Sequence, residues 1–374
     1  MTETHERRGL RRRTLLLAAA SALAAPAIVR AQTREKVTFA LSYGPIGANC
    51  NYLYPASYLK FWEAEGLDVE VITTQGTGQV LQLLTAGRAD MGTANPEPYI
   101  AARVQNNLPA LSVGLMGVVS TWAIGVLPDS PLTSYAELKG KTVGVTSLAT
   151  GGIYFLKARL IEAGLNPDKD VTLVPVGFGA SANEAVSNRK VDAMLLWRSG
   201  FATLENVGAK FRYLPRAPWE DNIYSLINMA TKTMIAERPQ TVAKVLRGIS
   251  KCFDFSAGSP EAAAMVFQDA YPSAVSRSLD AKTNFANNVR LVEATNADAG
   301  IGSPKFPAPP SRVWHQQADD GWNRIQAYLV QTGLIKEPAN PAELYTGRFV
   351  AEANDYDKGA VLKQAKAYPV RIQP

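Results

Sequence analysis

Histidine and cysteine are scarce: the 374 residues include two of each. His5 lies in a basic N-terminal stretch, so beyond residue 31 only His315 remains. A His/Cys metal centre needs three or four such ligands close together, so no metal or other cofactor is expected. No H-E-x-x-H or G-x-S-x-G occurs, and a Ser-His-Asp triad would have to rest on His315, far along the chain from any glycine loop. His315 reads as a packing or surface residue. Cys50 and Cys252 could bridge in an oxidising compartment, but the sequence leaves their pairing open. Charge is also thin, at 19% of residues. Lys plus Arg number 39 and Asp plus Glu 33, yet residues 1–31 hold six Arg against two Glu, which leaves 33 against 31 and a body near +2. That excludes the dense basic face needed to displace phosphate counterions, and with it a nucleic-acid partner. No apolar run beyond the N-terminal stretch approaches the roughly 18–20 residues that span a bilayer, so the processed chain is expected to be soluble.

What is present begins with an address. Arg11-Arg12-Arg13 precedes Thr14 to Leu17 and an Ala-rich stretch ending in Val29-Arg30-Ala31. A basic start, a short apolar middle and small residues at the end have the form of an export signal. Arg12-Arg13-Thr14-Leu15-Leu16 is of the twin-arginine type, with an ordinary secretory signal as the plainer alternative. Cleavage is expected after about Ala31, giving a periplasmic protein. No Cys stands at that site, so no lipid anchor is expected.

The remaining 47% hydrophobic composition is that of a globular chain. Its most informative feature is an internal repeat. Ala64-Glu65-Gly66-Leu67 leads into the alternating Val69 to Ile72, then Gly76-Thr77-Gly78, an amphipathic run Val80 to Ala86, and Arg88-Ala89-Asp90-Met91. Glu162-Ala163-Gly164-Leu165 leads in the same order into Val171 to Val174, Gly177-Phe178-Gly179, Ala182 to Asn188, and Val191-Asp192-Ala193-Met194. Upstream, Val37 to Leu41 matches Thr142 to Val145. Each copy predicts strand, helix, strand, helix, strand, with helices ending at Gly66 and Gly164. Alternating strands and helices imply an α/β fold with mostly parallel sheets flanked by helices, all strand C-termini on one edge, and ligands beyond that edge. Two such sheets predict two lobes facing one cleft: lobe 1 over 34–119 plus 225–374, lobe 2 over 128–214, with crossovers near 120–127 and 215–230. The later part reads as a return strand at Ile223 to Ala230, then helices over Pro239–Ala257, Pro260–Ala270, Leu279–Thr295 and Ser311–Thr332, packed on lobe 1.

Two glycine motifs fail as nucleotide sites. Gly177-Phe178-Gly179-Ala180-Ser181-Ala182 fits the dinucleotide pattern but has no acid near 197–199 to hold a ribose. Gly140-Lys141-Thr142 lacks the first glycine of a phosphate loop and precedes a strand. What remains is a binding inventory in the loops after strands. In lobe 1 it comprises Ser42, Tyr43 and Asn49; Gly76, Thr77 and Gly78; Asn95 and Glu97. Trp122 stands at the crossover. In lobe 2 it comprises Thr146, Ser147, Gly151 and Gly152; Gly177 and Phe178; Trp197 and Arg198. Hydroxyls, amides and exposed backbone N–H groups can hydrogen-bond a ligand, and Tyr43, Trp122, Phe178 and Trp197 can stack on one. Arg198 can pair bidentately with a carboxylate or sulfonate. The plainer roles are core packing for the aromatics and a surface ion pair for Arg198.

Several of these stretches, Glu63 to Glu70, Leu84 to Gly92, Glu137 to Val145 and Val191-Asp192-Ala193, resemble the periplasmic solute-binding proteins of ABC importers, in the branch for nitrate, alkanesulfonates, taurine and thiamine-pyrimidine precursors. The resemblance covers about Lys36 to Leu214. It implies the two-lobed type II binding-protein fold, closure on a small ligand, and a membrane permease with its ATPase as partners of a monomeric receptor. Family members often carry an acid and a proline after the tryptophan at Trp197; here Arg198-Ser199 stands instead, which favours an organic anion (sulfonate, carboxylate or heteroaromatic). No enzymatic activity is expected. The alternatives are a ligand-sensing receptor for a membrane signalling protein and an exported enzyme on the same scaffold.

Overall fold

The computed structural model describes residues 34–106, 108–276 and 279–372; the export signal read in residues 1–31 lies outside them. Each copy of the repeat folds as its pattern predicts. In the first, β1 (Glu35–Leu41) leads through α1 (Tyr54–Tyr58) and α2 (Phe61–Ala64) to β2 (Leu67–Thr73), α3 (Thr77–Thr85) and β3 (Met91–Ala94). In the second, β6 (Lys141–Val145) leads through α5 (Gly152–Glu162) to β7 (Val171–Pro175), α6 (Ala180–Ser187) and β8 (Ala193–Trp197). Between them lie α4 (Pro96–Asn106), β4 (Ala110–Gly117) and β5 (Trp122–Val126). The helix before β2 and the helix before β7 both end on a glycine with φ +78°, Gly66 and Gly164, a left-handed cap that glycine adopts without steric cost.

Two five-stranded mixed sheets result, ordered β2-β1-β3-β10-β4 and β7-β6-β8-β5-β9, where β9 is Arg212–Tyr213 and β10 is Leu226–Thr231. The orders superpose when the copies are matched strand for strand. In each sheet the first strand is flanked in parallel by the other two, Phe39 facing Val71 and Met91, Val143 facing Leu173 and Ala193. β10 and β5 then add antiparallel to β3 and β8. The aspartate entering the third strand does the same work twice. The Asp90 carboxylate accepts the Thr38 N–H at 2.9 Å, and the Asp192 carboxylate accepts the Thr142 N–H at 2.8 Å. That explains why Ala-Asp and Asp-Ala recur at this point: each carboxylate satisfies a backbone donor between first and third strands that the ladder leaves open.

Side chains alternate across each sheet, so both faces are buried. In β1, Val37, Phe39 and Leu41 enter one core and Ala40 the other; in β8, Ala193, Leu195 and Trp197 oppose Met194 and Leu196. The C-terminal half adds α8 (Lys232–Glu237), α9 (Pro239–Gly258), α10 (Pro260–Ala270), α11 (Ala281–Asp298), α12 (Asp319–Gln331), α13 (Val350–Ala353) and α14 (Lys358–Ala367). Residues from α9, α10 and α14 share the core of Phe39 and Leu41, while α11 also packs on α7 (Arg198–Glu205) of the other sheet. Two details differ from expectation. Residues 122–126, expected within a crossover, are a strand of the second sheet. The helix expected from Ser311 starts only at Asp319, because His315 takes φ +68° and bridges Leu115 of β4; tertiary pairing overrides the helical pattern there. His315 is buried, a packing residue. Cys50 and Cys252 are both buried free thiols. Among the described residues no helix is long and apolar enough to cross a membrane.

Candidate functional site

Strand direction decides what reaches the cleft. The C-terminal ends of β1, β3, β4, β6 and β8 and the N-terminal ends of the antiparallel β5 and β10 come to facing edges of the two sheets, and a cavity, open at its mouth, lies between them. Of the residues expected to bind, Ser42, Tyr43, Asn49, Asn95, Trp122, Thr146 and Trp197 line it. Trp197 is the hub of its wall. Its ring lies 5.3 Å from Tyr43, 5.8 Å from Trp122 and 5.2 Å from Phe178, the last a stacked pair. The Trp197 Nε1–H donates to Ser199 Oγ at 2.9 Å, and Asn49 Nδ2 of the other lobe donates to the same oxygen at 3.2 Å.

The other expected residues stand behind this lining. Phe178 backs Trp197 and does not line the cavity; Gly177 fixes its turn with φ +74°. Gly76, Thr77 and Gly78 form a seam with the opposite lobe. The Gly78 N–H donates to Ala149 O at 3.2 Å, and Ser147 Oγ donates to Gln75 O at 2.5 Å. A Cβ on Gly76 would fall 2.3 Å from Ala149 O, so that turn closes on protein. Thr77 Oγ1 donates to Asn95 Oδ1 at 2.9 Å, and Asn95 Nδ2 donates to Ser225 O at 2.7 Å. Gly151 and Gly152 leave room for the Asn95 and Trp122 side chains, which a Cβ would meet at 2.2 and 2.5 Å. Glu97 is buried away from the cavity, where its Oε1 accepts the Tyr328 hydroxyl at 2.8 Å, and burial raises its carboxyl to about 7.

Arg198 does not line the cavity either. Its Nε donates to Asp298 Oδ1 at 2.7 Å, across the interface of the two lobes. Both charges sit at the helix end that disfavours them: Arg198 opens α7 and Asp298 closes α11, against the macrodipole in each case. They therefore meet for the sake of the interface and not of their helices. Burial pushes the Asp298 carboxyl up to about 7, with Arg198 pulling it back.

The C-terminal half supplies lining that the repeat alone did not reveal: Phe253 of α9, Thr295 and Asp298 of α11, and Ser225 and Leu226 at β10. Thr121 and Ser225 escape a rule that looks only after strands, because β5 and β10 run antiparallel and present their beginnings. Tyr52, Thr150 and Ser199, in or beside the inventoried loops, also line it. Asp298 is the one carboxylate among the described lining residues, and no Lys, Arg, His or Cys joins it. Two buried polar atoms of the lining have no hydrogen-bond partner, Trp122 Nε1 and Ser225 Oγ.

The family profile described as NMT1/THI5 like matches residues 48–263. The chain belongs to this family. Among relatives, it is 26% identical over 351 residues to the riboflavin-binding protein RibY of Chloroflexus aurantiacus, covering 89% of this chain and 91% of that one. It is 24% identical over 262 residues to a 4-amino-5-hydroxymethyl-2-methylpyrimidine phosphate synthase of Aspergillus parasiticus, covering 64% and 71%. Among solved structures, the alkanesulfonate-binding protein SsuA of Xanthomonas axonopodis pv. citri, bound to MOPS, superposes with a TM-score of 0.63 at 17% identity, over 83% of this chain and 98% of that one. The two-lobed binding-protein fold expected from the sequence is therefore the fold of this NMT1/THI5-like protein.

Proposed function

We propose that this protein is the exported solute-binding receptor of an ABC importer, and that its cleft holds a small heteroaromatic ligand for delivery to a membrane permease. The observation that carries the reading is the set of aromatic rings, Tyr43, Trp122, Trp197 and Phe253, on the wall of a cavity between the two lobes. Tyr43, Trp122, Trp197 and Phe253 offer ring faces and edges to a flat guest. Of the three expected ligand classes, sulfonate, carboxylate and heteroaromatic, the last fits best. The guanidinium that would meet an oxyanion is engaged by Asp298, while Asp298 itself can accept an N–H from a ring substituent. The related riboflavin-binding protein supports the same class.

The lining also favours binding over turnover. Its titratable groups are Tyr43, Tyr52 and Asp298. The nearby Cys50 thiol donates to the Tyr43 hydroxyl at 3.3 Å and is pushed by burial to about 11, so it is not a poised nucleophile. A ligand that touches both lobes stabilises the closed arrangement by its differential affinity, and the permease would read that shape. A thermal-shift panel of aminopyrimidines, riboflavin, alkanesulfonates, aromatic carboxylates and nitrate tests the proposal, since a ligand of the folded form raises Tm. Heteroaromatics are expected to give the shift. A shift with sulfonates or nitrate alone refutes the ligand class, and chemical conversion of a bound compound refutes the receptor.

A further inference from the structure

A second, larger cavity lies behind the cleft, against the irregular segment 305–318. It shares the Met116 wall with the first. Its floor, Trp314, stacks at 4.8 Å on Phe253, which lines the cleft on the other side. On this wall sits Arg312, only 8% exposed. Its guanidinium carbon lies 4.1 Å from the Phe306 ring centroid and 5.2 Å from that of Trp314. It makes one hydrogen bond, from Nη2 to Ala299 O at 3.3 Å, and its Nε has no acceptor. Among the described residues no carboxylate pairs with it. Asp221, on the cavity wall, is held by Arg216 at 3.0 Å. Gln317 accepts the Ser112 hydroxyl on Oε1 at 2.6 Å, and its buried Nε2 has no partner. The exposed Lys305 stands on the rim, while the Arg324 guanidinium is engaged by Asp320.

A desolvated guanidinium with no counter-charge is expensive, and two aromatic rings offset only part of that cost. Here it stands on the wall of a roomy, half-apolar cavity. We propose that this cavity is a second ligand site, for a small organic anion whose apolar body lies on Trp314, Phe306 and Met116 and whose oxyanion takes the Arg312 guanidinium. The site is independent of the cleft ligand, and the shared wall of Met116 and Phe253 gives it contact with the cleft's lining.

The test titrates the full exported chain with benzoate, benzenesulfonate and phenyl phosphate, each up to about 10 mM, reading calorimetry, with benzamide as the uncharged control. At least one anion is expected to bind with one-to-one stoichiometry and a Kd of about 1 mM or tighter, with benzamide at least about tenfold weaker. Trp122→Ala, which removes a wall of the cleft, should leave that binding within about twofold; Arg312→Met should weaken it by about tenfold or more. Should Arg312→Met fail to fold, Lys305→Glu on the exposed rim is expected to weaken it by about threefold. Binding by none of the three anions, binding indifferent to these charges, or binding lost in Trp122→Ala but kept in Arg312→Met overturns the proposal. The last result would move the anion to the cleft and leave the receptor reading standing.

Discussion

The Arg198–Asp298 pair gives the sharpest prediction, because its two members should behave differently when removed. The bond is 2.7 Å long and joins the lobes; the Arg198 side chain is 48% exposed and that of Asp298 12%. A hydrogen bond between charged groups contributes about 1.5–3 kcal/mol, and solvent on the arginine side reduces this to about 1 kcal/mol. Arg198→Met leaves a buried carboxylate without its partner, and the closed arrangement should lose about that amount. The closed-to-open ratio then falls about fivefold, so an evenly divided ligand-free population would become about one-sixth closed. Removing the carboxylate as well removes the uncompensated charge, so the Arg198→Met/Asp298→Asn double variant should recover most of the closure. The effect also depends on pH. Burial holds Asp298 near 7; below that value the carboxyl carries its proton and no longer needs the arginine. The single variant should therefore open most at pH 8 and differ little from the parent at pH 6. Single-molecule energy transfer between dyes on the two lobes, in ligand-free protein, reads the three proteins at both pH values. Identical distributions for parent and Arg198→Met at pH 8 would refute the latch. So would a loss of affinity confined to anionic ligands, since that would place Arg198 on the ligand.

Three further outcomes follow from the same structure. Trp122→Phe keeps a ring on the cavity wall and removes a buried Nε1–H that has no acceptor, so folding stability in urea unfolding should hold or rise slightly, and a loss above about 1 kcal/mol would contradict the burial argument. Glu97 has a folded-state pKa raised by burial from 4.5 to about 7. The folded state thus binds more protons between those values, and stability is lost as pH rises through them. At about 1.36 kcal/mol per unit, the full cost above pH 7 is on the order of 3 kcal/mol. Glu97→Gln, which keeps the acceptor for Tyr328, should be more stable than the parent at pH 8 and little changed at pH 4 in urea unfolding, and equal stabilities at pH 8 would contradict the burial argument. Gly76→Ala should hinder closure, since the new Cβ would meet Ala149 O at 2.3 Å on a backbone with φ +151°; the energy-transfer distribution should move to longer distances.

The fold was legible because it is written twice. Gly66 and Gly164 end corresponding helices, Asp90 and Asp192 clamp corresponding strands, and the two sheets share one strand order. Periodicity and punctuation carry such features, since each is decided by residues close in sequence. The cleft was only half legible for the opposite reason. Loops after parallel strands gave Ser42, Tyr43, Asn49, Asn95, Thr146 and Trp197, all on the cavity wall. The rule could not give Ser225, which precedes an antiparallel strand, nor Phe253, Thr295 and Asp298, which come from helices that no repeat marks. The glycine turns were visible, yet what they face was not. Gly76 and Gly78 meet the Ala149 loop of the other lobe, a partner some seventy residues away.

Arg198 shows where local reasoning stops. The residue type, a planar guanidinium after a strand at the cleft edge, points to an anionic ligand. Its partner lies 100 positions on, at the last residue of α11. Nothing near either residue signals the other, apart from one shared oddity. A cation at a helix start and an anion at a helix end each oppose the local dipole, and such violations persist where a tertiary contact outweighs them. Two opposite violations in one chain can cancel if they meet, and here they meet between the lobes. Read that way, the departure from the acid usual after the tryptophan does not empty the cleft of negative charge. The carboxylate stands instead on α11 and the second lobe carries the cation that holds it, so that one bond joins the lobes and sets the charge on the cavity wall.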